Sequence, residues 1–175
     1  MPALAALALA VFAAALLGSL HAGRAATLHL MLAVGAMPLI FGAMMHFIPV
    51  LTRSRAAPAA LAWVPALALA GGVWVWAALT FPDRIPALVA GAVPAGAAAV
   101  ALIVWSRRRR ATMLGRPHPC LAWYEAALAS LVLALLAVLA TRLWPQQTVA
   151  LRLFHVHLNT LGFIGLTAVS TLAVL

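Results

Sequence analysis

The chain has 175 residues, of which 67% are hydrophobic and only 7% are charged, whereas a soluble domain carries about 25% charged residues. This composition excludes an ordinary soluble protein and predicts an all-α membrane protein. The 11 basic residues are all arginines, and the chain has only two acidic residues, which gives a net charge of +9. Because the arginines stand in short gaps between apolar segments, they indicate membrane topology and contact with lipid headgroups, and we expect no nucleic-acid partner.

Six apolar segments follow one another along the chain, each close to the length of about 20 residues that a membrane span requires. We predict a polytopic helical bundle of about six transmembrane helices, forming a single domain over residues 1–175. The predicted spans are residues 3–21, 27–51, 58–80, 85–105, 120–141 and 152–175. The first span lacks a basic leader, so we interpret it as an uncleaved helix. The apolar run before Leu175 leads us to expect that the protein continues as a longer, repeat-built chain.

The arginines also predict the orientation of these spans. Seven of them lie in gaps on the side of the N-terminus, namely Arg53, Arg55, Arg107, Arg108, Arg109, Arg110 and Arg116. Four lie on the opposite side, namely Arg24, Arg84, Arg142 and Arg152. Because cytoplasmic loops carry the excess of positive charge, we predict a cytoplasmic N-terminus in a bacterial-type inner membrane.

Histidines stand near the beginning of the second and sixth predicted spans. They are His29 in the second span, and His155 and His157 in the sixth. Span parity puts all three in one membrane layer, and ionisable side chains inside a span suggest a functional site. His155 and His157 lie about 200° apart around a helix, so only one of them is expected to share a cofactor with His29. We favour His155, because Asn159 and Gly162 lie on its face.

The histidine layer predicts a b-type haem held by His29 and by His155 or His157, because imidazole is a common axial ligand of haem iron. Copper is the alternative, since imidazole also binds copper. The main metal ligands would be His29, His155 and His46, and the weaker candidates are His157, His118 and His21. For any single histidine, the competing interpretation is an interfacial residue that bonds to water, headgroups or backbone.

Two further residues carry specific predictions. Glu125 lies inside the fifth span and is expected to pair with an arginine of the Arg107–Arg110 cluster or with Arg116, with a proton relay as the alternative. Pro38 lies in the middle of the second span. It is expected to kink that helix and to leave the carbonyl of Val34 without its helical partner.

The string from Phe154 to Thr167, FHVHLNTLGFIGLT, together with Leu28-His29-Leu30, resembles a family of haem–copper-associated membrane proteins. These are the proteins similar to NnrS and to the subunit I superfamily of cytochrome c oxidase. The resemblance implies haem or copper bound through His29, His155 or His157. The sequence departs from the oxidases, because it has no adjacent histidine pair and no His-Pro-Glu-Val-Tyr string. Terminal oxidase activity is therefore not expected.

Within the chain, His29-Leu30 aligns with His157-Leu158 when the second and sixth spans are superposed, which suggests a duplicated plan. We expect an integral membrane haem- or copper-binding protein with an electron-transfer role in redox, respiratory or nitric-oxide-stress physiology. Its expected partners are the lipid bilayer and a redox protein or larger membrane complex. Two alternatives stay open. One is a small-molecule or ion transporter with helix breaks at Pro38, Pro65 and Pro94, and the other is a cofactor-free assembly subunit.

Overall fold

The computed structural model describes residues 2–18, 23–81 and 86–174, and within these ranges the chain is helical and contains no strand. The described residues form six apolar helical segments. They are α1 (Pro2–Gly18), α2 (Arg24–Leu51), α3 (Trp63–Thr80), α4 (Pro86–Thr112), α5 (Pro119–Ala140) and α6 (Pro145–Leu172). Helices α2 to α6 are long and apolar enough to cross a membrane, and α1 is shorter. The prediction of an all-α polytopic bundle is confirmed.

The helix boundaries differ from the predicted spans mainly in α4 and α6. Helix α4 continues through the arginine cluster to Thr112 and is not interrupted at Pro94. Arginine is a good helix former, so the cluster extends the helix beyond its apolar part rather than ending it. Helix α6 opens with a 3-10 turn at Pro145–Gln147, several residues before the predicted span.

The chain divides into two compact units, one made of residues 1–43 and 58–98 and the other of residues 44–57 and 99–175. In the first unit, α2 packs against both α1 and α3. Glycines allow these contacts, because an added Cβ at Gly72 would collide with the backbone carbonyl of Ala33. A Cβ at Gly71 would come within 2.7 Å of the carbonyl oxygen of Gly91, so α3 and α4 also approach backbone to backbone.

In the second unit, α5 and α6 form an antiparallel hairpin that is held by hydrogen bonds. The start of α5 contacts the end of α6. The later turns of α5 contact the earlier part of α6. The bonds are Ser170 Oγ to Cys120 O at 2.9 Å, the Tyr124 and Thr171 hydroxyls at 2.9 Å, and His155 Nδ1 to Ala134 O at 2.9 Å. The end of this unit that contains the start of α5 therefore also contains the end of α6.

Both α2 and α6 contain a π-helical segment, in which backbone bonds span five residues instead of four. The first is Leu30–Ala36 and the second is Leu158–Gly165. Each begins directly after a histidine, His29 in α2 and His157 in α6. π-helical turns are rare in proteins and are frequent at functional sites.

The first π segment has a visible local cause. Pro38 has no backbone N–H, so the carbonyl of Val34 has no partner at the fourth residue beyond it. The π segment ends just before this proline, and the Met37 N–H bonds to Leu32 O, five residues back. The helix accommodates the proline by widening over this stretch.

Candidate functional site

His29 and His157 make the same local hydrogen bond in their two units, although His29 is half-buried and His157 is exposed. His29 Nδ1 donates to Ala25 O at 2.8 Å, and His157 Nδ1 donates to Leu153 O at 2.7 Å. Each acceptor is the carbonyl four residues earlier, and a carbonyl oxygen can only accept. The proton therefore lies on Nδ1 in both neutral rings, and the lone pair lies on Nε2. This is the tautomer in which Nε2 can ligate a metal.

Polar side chains stabilise the backbone around the second π segment. Asn159 Nδ2 donates to His155 O at 2.9 Å, and Thr160 Oγ1 donates to Val156 O at 2.8 Å. In a membrane, side-chain donors of this kind supplement the backbone bonds of a helix, since no water is available. The His155 carbonyl also accepts the backbone N–H of Leu158, so Asn159 adds a second donor to it beside the irregular turn that follows His157.

His155 has a different role from His157 in the structure. Its side chain is partly buried, and its Nδ1 donates to Ala134 O of α5 at 2.9 Å. The Asn159 amide nitrogen lies 3.4 Å from both ring nitrogens of His155. His155 thus joins α6 to α5, whereas His157 is exposed. The two rings take different environments, and it is His157 that precedes a π segment as His29 does, as in the alignment of His29-Leu30 with His157-Leu158.

The other candidate histidines lie apart from this pair. His46 is exposed near the end of α2, in the second unit, where its ring makes an edge contact with Phe47 at a centroid distance of 5.3 Å. It lines a cleft of about 370 Å³. His118 precedes α5 and accepts the Cys120 N–H on its Nδ1 at 3.3 Å. His21 lies outside the described residues.

Within residues 2–18, 23–81 and 86–174, no three His, Cys, Asp or Glu side chains lie close enough together to hold a metal ion. Each described histidine that is a candidate ligand makes a local contact of its own, to a backbone group or to a neighbouring ring.

Glu125 forms the ion-pair cluster that the sequence predicted. Ser106 Oγ donates to its Oε1 at 2.9 Å, while Arg107 Nε and Arg110 Nη1 lie 3.9 and 3.7 Å from Oε2. The carboxylate side chain is 12% exposed, and the arginines are 71% and 49% exposed. Because the arginines are solvated, each pair contributes at most about 1 kcal/mol. The cluster fastens α4 to α5 within the second unit.

Two features of the site were missed in the sequence. The π segments were not predicted, although Pro38 was the signal for the first. Arg53 and Arg116 were counted only as topology signals, and the structure places both beside His118 in one cleft.

No protein-family model, no curated protein and no solved structure matches this chain.

Proposed function

We propose that this protein is a multi-pass membrane protein that binds haem b, and that His29 in the first unit and His157 in the second unit are each a candidate axial ligand of haem iron. Its role in this proposal is electron transfer in redox, respiratory or nitric-oxide-stress physiology. The arginine distribution supports a bacterial-type inner membrane with the N-terminus in the cytoplasm. A redox protein or a larger membrane complex would exchange electrons with it.

The observation that carries this proposal is the repeated arrangement of a histidine followed by a π segment. In both units the ring donates through Nδ1 to the carbonyl four residues earlier, which leaves the ligating lone pair on Nε2. A hydrogen bond from the second ring nitrogen to a carbonyl fixes the tautomer and orientation of histidines that ligate metals. The donor set therefore fits an axial ligand of haem iron.

Haem is favoured over copper because of the number of protein ligands that each requires. The porphyrin supplies four nitrogens to the iron, so the protein adds only one or two axial ligands. A mononuclear copper site takes most of its ligands from protein side chains. Among the described residues no group of three or more His, Cys, Asp or Glu side chains could hold a metal ion, and one or two imidazoles suit the first requirement. When bound, haem would supply one-electron chemistry, and the histidines would hold and orient it.

The test is the optical and electron-paramagnetic-resonance spectrum of the purified full chain supplied with haem. We expect a Soret band in the wild type. In His29→Ala and His157→Ala, we expect loss of haem or conversion of the remaining haem to a high-spin form, with recovery when free imidazole is added. The matched control is His155→Ala, two residues from His157, which should retain the wild-type spectrum.

Two results would contradict the proposal. The first is a wild-type protein, folded by circular dichroism, that shows no Soret band at any haem concentration tested. The second is an unchanged spectrum in both His29→Ala and His157→Ala. Loss of haem in His155→Ala but in neither of the other variants would indicate that the ligand in α6 is His155, which the sequence favoured, and not His157.

A further inference from the structure

A second polar feature lies at the end of the second unit that contains the start of α5. It is a cleft of about 220 Å³ in which three separate parts of the chain meet. The turn after α2 contributes Arg53, and the segment before α5 contributes Arg116 and His118. Leu51 and Val174 are among the apolar residues of its wall. We call this feature the basic cleft.

His118 presents a hydrogen-bond donor to its surroundings even when its ring is uncharged. Its Nδ1 accepts the backbone N–H of Cys120 at 3.3 Å, so the proton of the neutral ring lies on Nε2. This is the opposite tautomer from that of His29 and His157. An Nε2–H group suits an anion, whereas it does not suit a metal ion.

Arg53 lies in a backbone conformation that arginine rarely adopts. Its φ is +48°, in the left-handed region. Helix α2 ends there with the Arg53 N–H bonded to Val50 O at 3.2 Å and the Ser54 N–H bonded to Pro49 O at 2.9 Å. This is the Schellman arrangement, which normally places glycine at the position of Arg53. Local stability would favour glycine, so the side chain of Arg53 needs another explanation.

The charge of the basic cleft is not neutralised by any described acid. Glu125 is engaged by Arg107, Arg110 and Ser106, and no acidic side chain lines the cleft. Among the described residues, neither Arg53 nor Arg116 forms an ion pair. The cleft therefore combines two guanidinium groups with an Nε2–H donor, and the first turn of α5 begins beside it. Guanidinium groups recognise phosphate through paired, charge-assisted hydrogen bonds.

We propose that the basic cleft binds a phosphate group through Arg53, Arg116 and His118. The phosphate would belong either to an anionic phospholipid headgroup or to a soluble phosphate compound, since both present the same oxygens. This site is independent of the proposed function, in which the haem ligands are His29 and His157. His118, a weaker metal candidate in the sequence, has the tautomer that does not suit a metal ion.

The experiment is calorimetric titration of the purified full chain in an uncharged detergent. One arm uses inorganic phosphate, a second uses short-chain phosphatidic acid, and sodium chloride at the same ionic strength is the blank. We expect saturable binding in at least one phosphate arm. Loss of one guanidinium in Arg53→Gly or Arg116→Gln should weaken it by roughly tenfold or more.

Three variants separate recognition from folding and from general charge. Arg53→Gly suits the left-handed backbone, so its thermal stability should equal or exceed that of the wild type while its binding is weakened. His118→Asn keeps a good residue at the start of α5 but removes the Nε2–H donor, and should weaken binding less than the loss of either arginine. Arg142→Gln removes an exposed arginine from the loop at the other end of α5 and should leave binding unchanged.

Binding of both probes would identify a soluble phosphate site, and binding of phosphatidic acid alone would identify a lipid headgroup site. Either result supports the proposal if Arg53→Gly weakens it. A wild type that binds neither probe overturns the proposal. It is also overturned if Arg142→Gln weakens binding as much as Arg53→Gly does, because the attraction would then be due to net charge.

Discussion

The α1–α2 hairpin of the first unit and the α5–α6 hairpin of the second contain the same local motif in different packing. Each has a histidine with a π segment directly after it, although His29 is the sixth residue of α2 and His157 is the thirteenth residue of α6. In the most apolar stretch of α2, 39% of the residues are buried, against 6% in α6. Helix α2 has close neighbours on two sides, whereas α6 packs mainly on α5.

The helix contacts within the two units also depend on different interactions. In the first unit, contact depends on glycine, because Gly72 of α3 lies against the backbone of Ala33 inside the first π segment. In the second, it depends on hydrogen bonds such as those of Ser170 and Tyr124. The same motif therefore occurs in two different packings, and the proposed role of His29 and His157 rests on this recurrence.

The largest expected effect is that of Gly72→Leu in the first unit. The new side chain would collide with the carbonyl of Ala33, which is backbone and cannot move aside without distorting α2. We expect a loss of about 3 kcal/mol or more in the free energy of unfolding. Unfolding of the purified protein in sodium dodecyl sulfate, followed by circular dichroism, measures this change.

The matched control is Gly23→Leu, because an added Cβ at Gly23 meets no atom of the described residues within 4 Å. Its free energy of unfolding should stay within about 0.5 kcal/mol of the wild type. Equal losses in the two variants would show that the close approach of α3 to the first π segment does not stabilise the first unit.

A smaller effect is expected from Gly162→Ala in the second π segment. The added methyl group would lie 2.6 Å from Ser130 Cβ and 2.7 Å from its Oγ, so α6 must shift slightly away from α5. We expect a cost of about 1–2 kcal/mol, measured by the same unfolding titration. Combining it with Ser130→Gly should restore part of that stability, because the obstructing side chain is then removed. If the double variant loses as much free energy of unfolding as the two single variants together, the contact between Gly162 and Ser130 does not limit the packing.

The smallest effect is expected from Tyr124→Phe. Tyr124 is fully buried, and its hydroxyl bonds to Thr171 Oγ1, which also donates to Thr167 O and so keeps a partner. Losing one hydrogen bond without leaving Thr171 unpaired should cost about 1 kcal/mol. Trp123→Phe, at the neighbouring position that is 47% exposed, is the control and should cost less. If the control loses more stability, the polar contacts of α5 with α6 are not what holds this hairpin.

Much of the fold could be predicted from the sequence, because membrane spans are identified by their length and apolar composition. The pairing of Glu125 with arginines was predictable for a similar reason, since one buried carboxylate faced a dense arginine cluster nearby in the chain. The extension of α4 to Thr112 was not predicted, because an arginine run can either end a span or continue its helix beyond the apolar part.

The details of the site were less predictable. A helical wheel assumes about 100° for each residue, and this assumption fails across a π segment. It was sufficient to separate His155 from His157, but it could not show that His155 bonds to Ala134 on another helix. The basic cleft was missed because Arg53 and Arg116 are far apart in the chain. The left-handed backbone at Arg53 could not be predicted either, because arginine rarely adopts that conformation.

The π segments also have a consequence for how sequences of this kind should be aligned. A turn closed over five residues holds one residue more than an α-helical turn, so each π segment is equivalent to an insertion that the helix absorbs. In α6, the bonds of Ser170 and Thr171 to α5 fix the part that follows the insertion. Removing one residue between Leu158 and Gly165 would therefore turn His157 by about 100° while those contacts stay in place. An alignment gap inside this helix would thus mark a change in the direction of the histidine, and not a change in a loop.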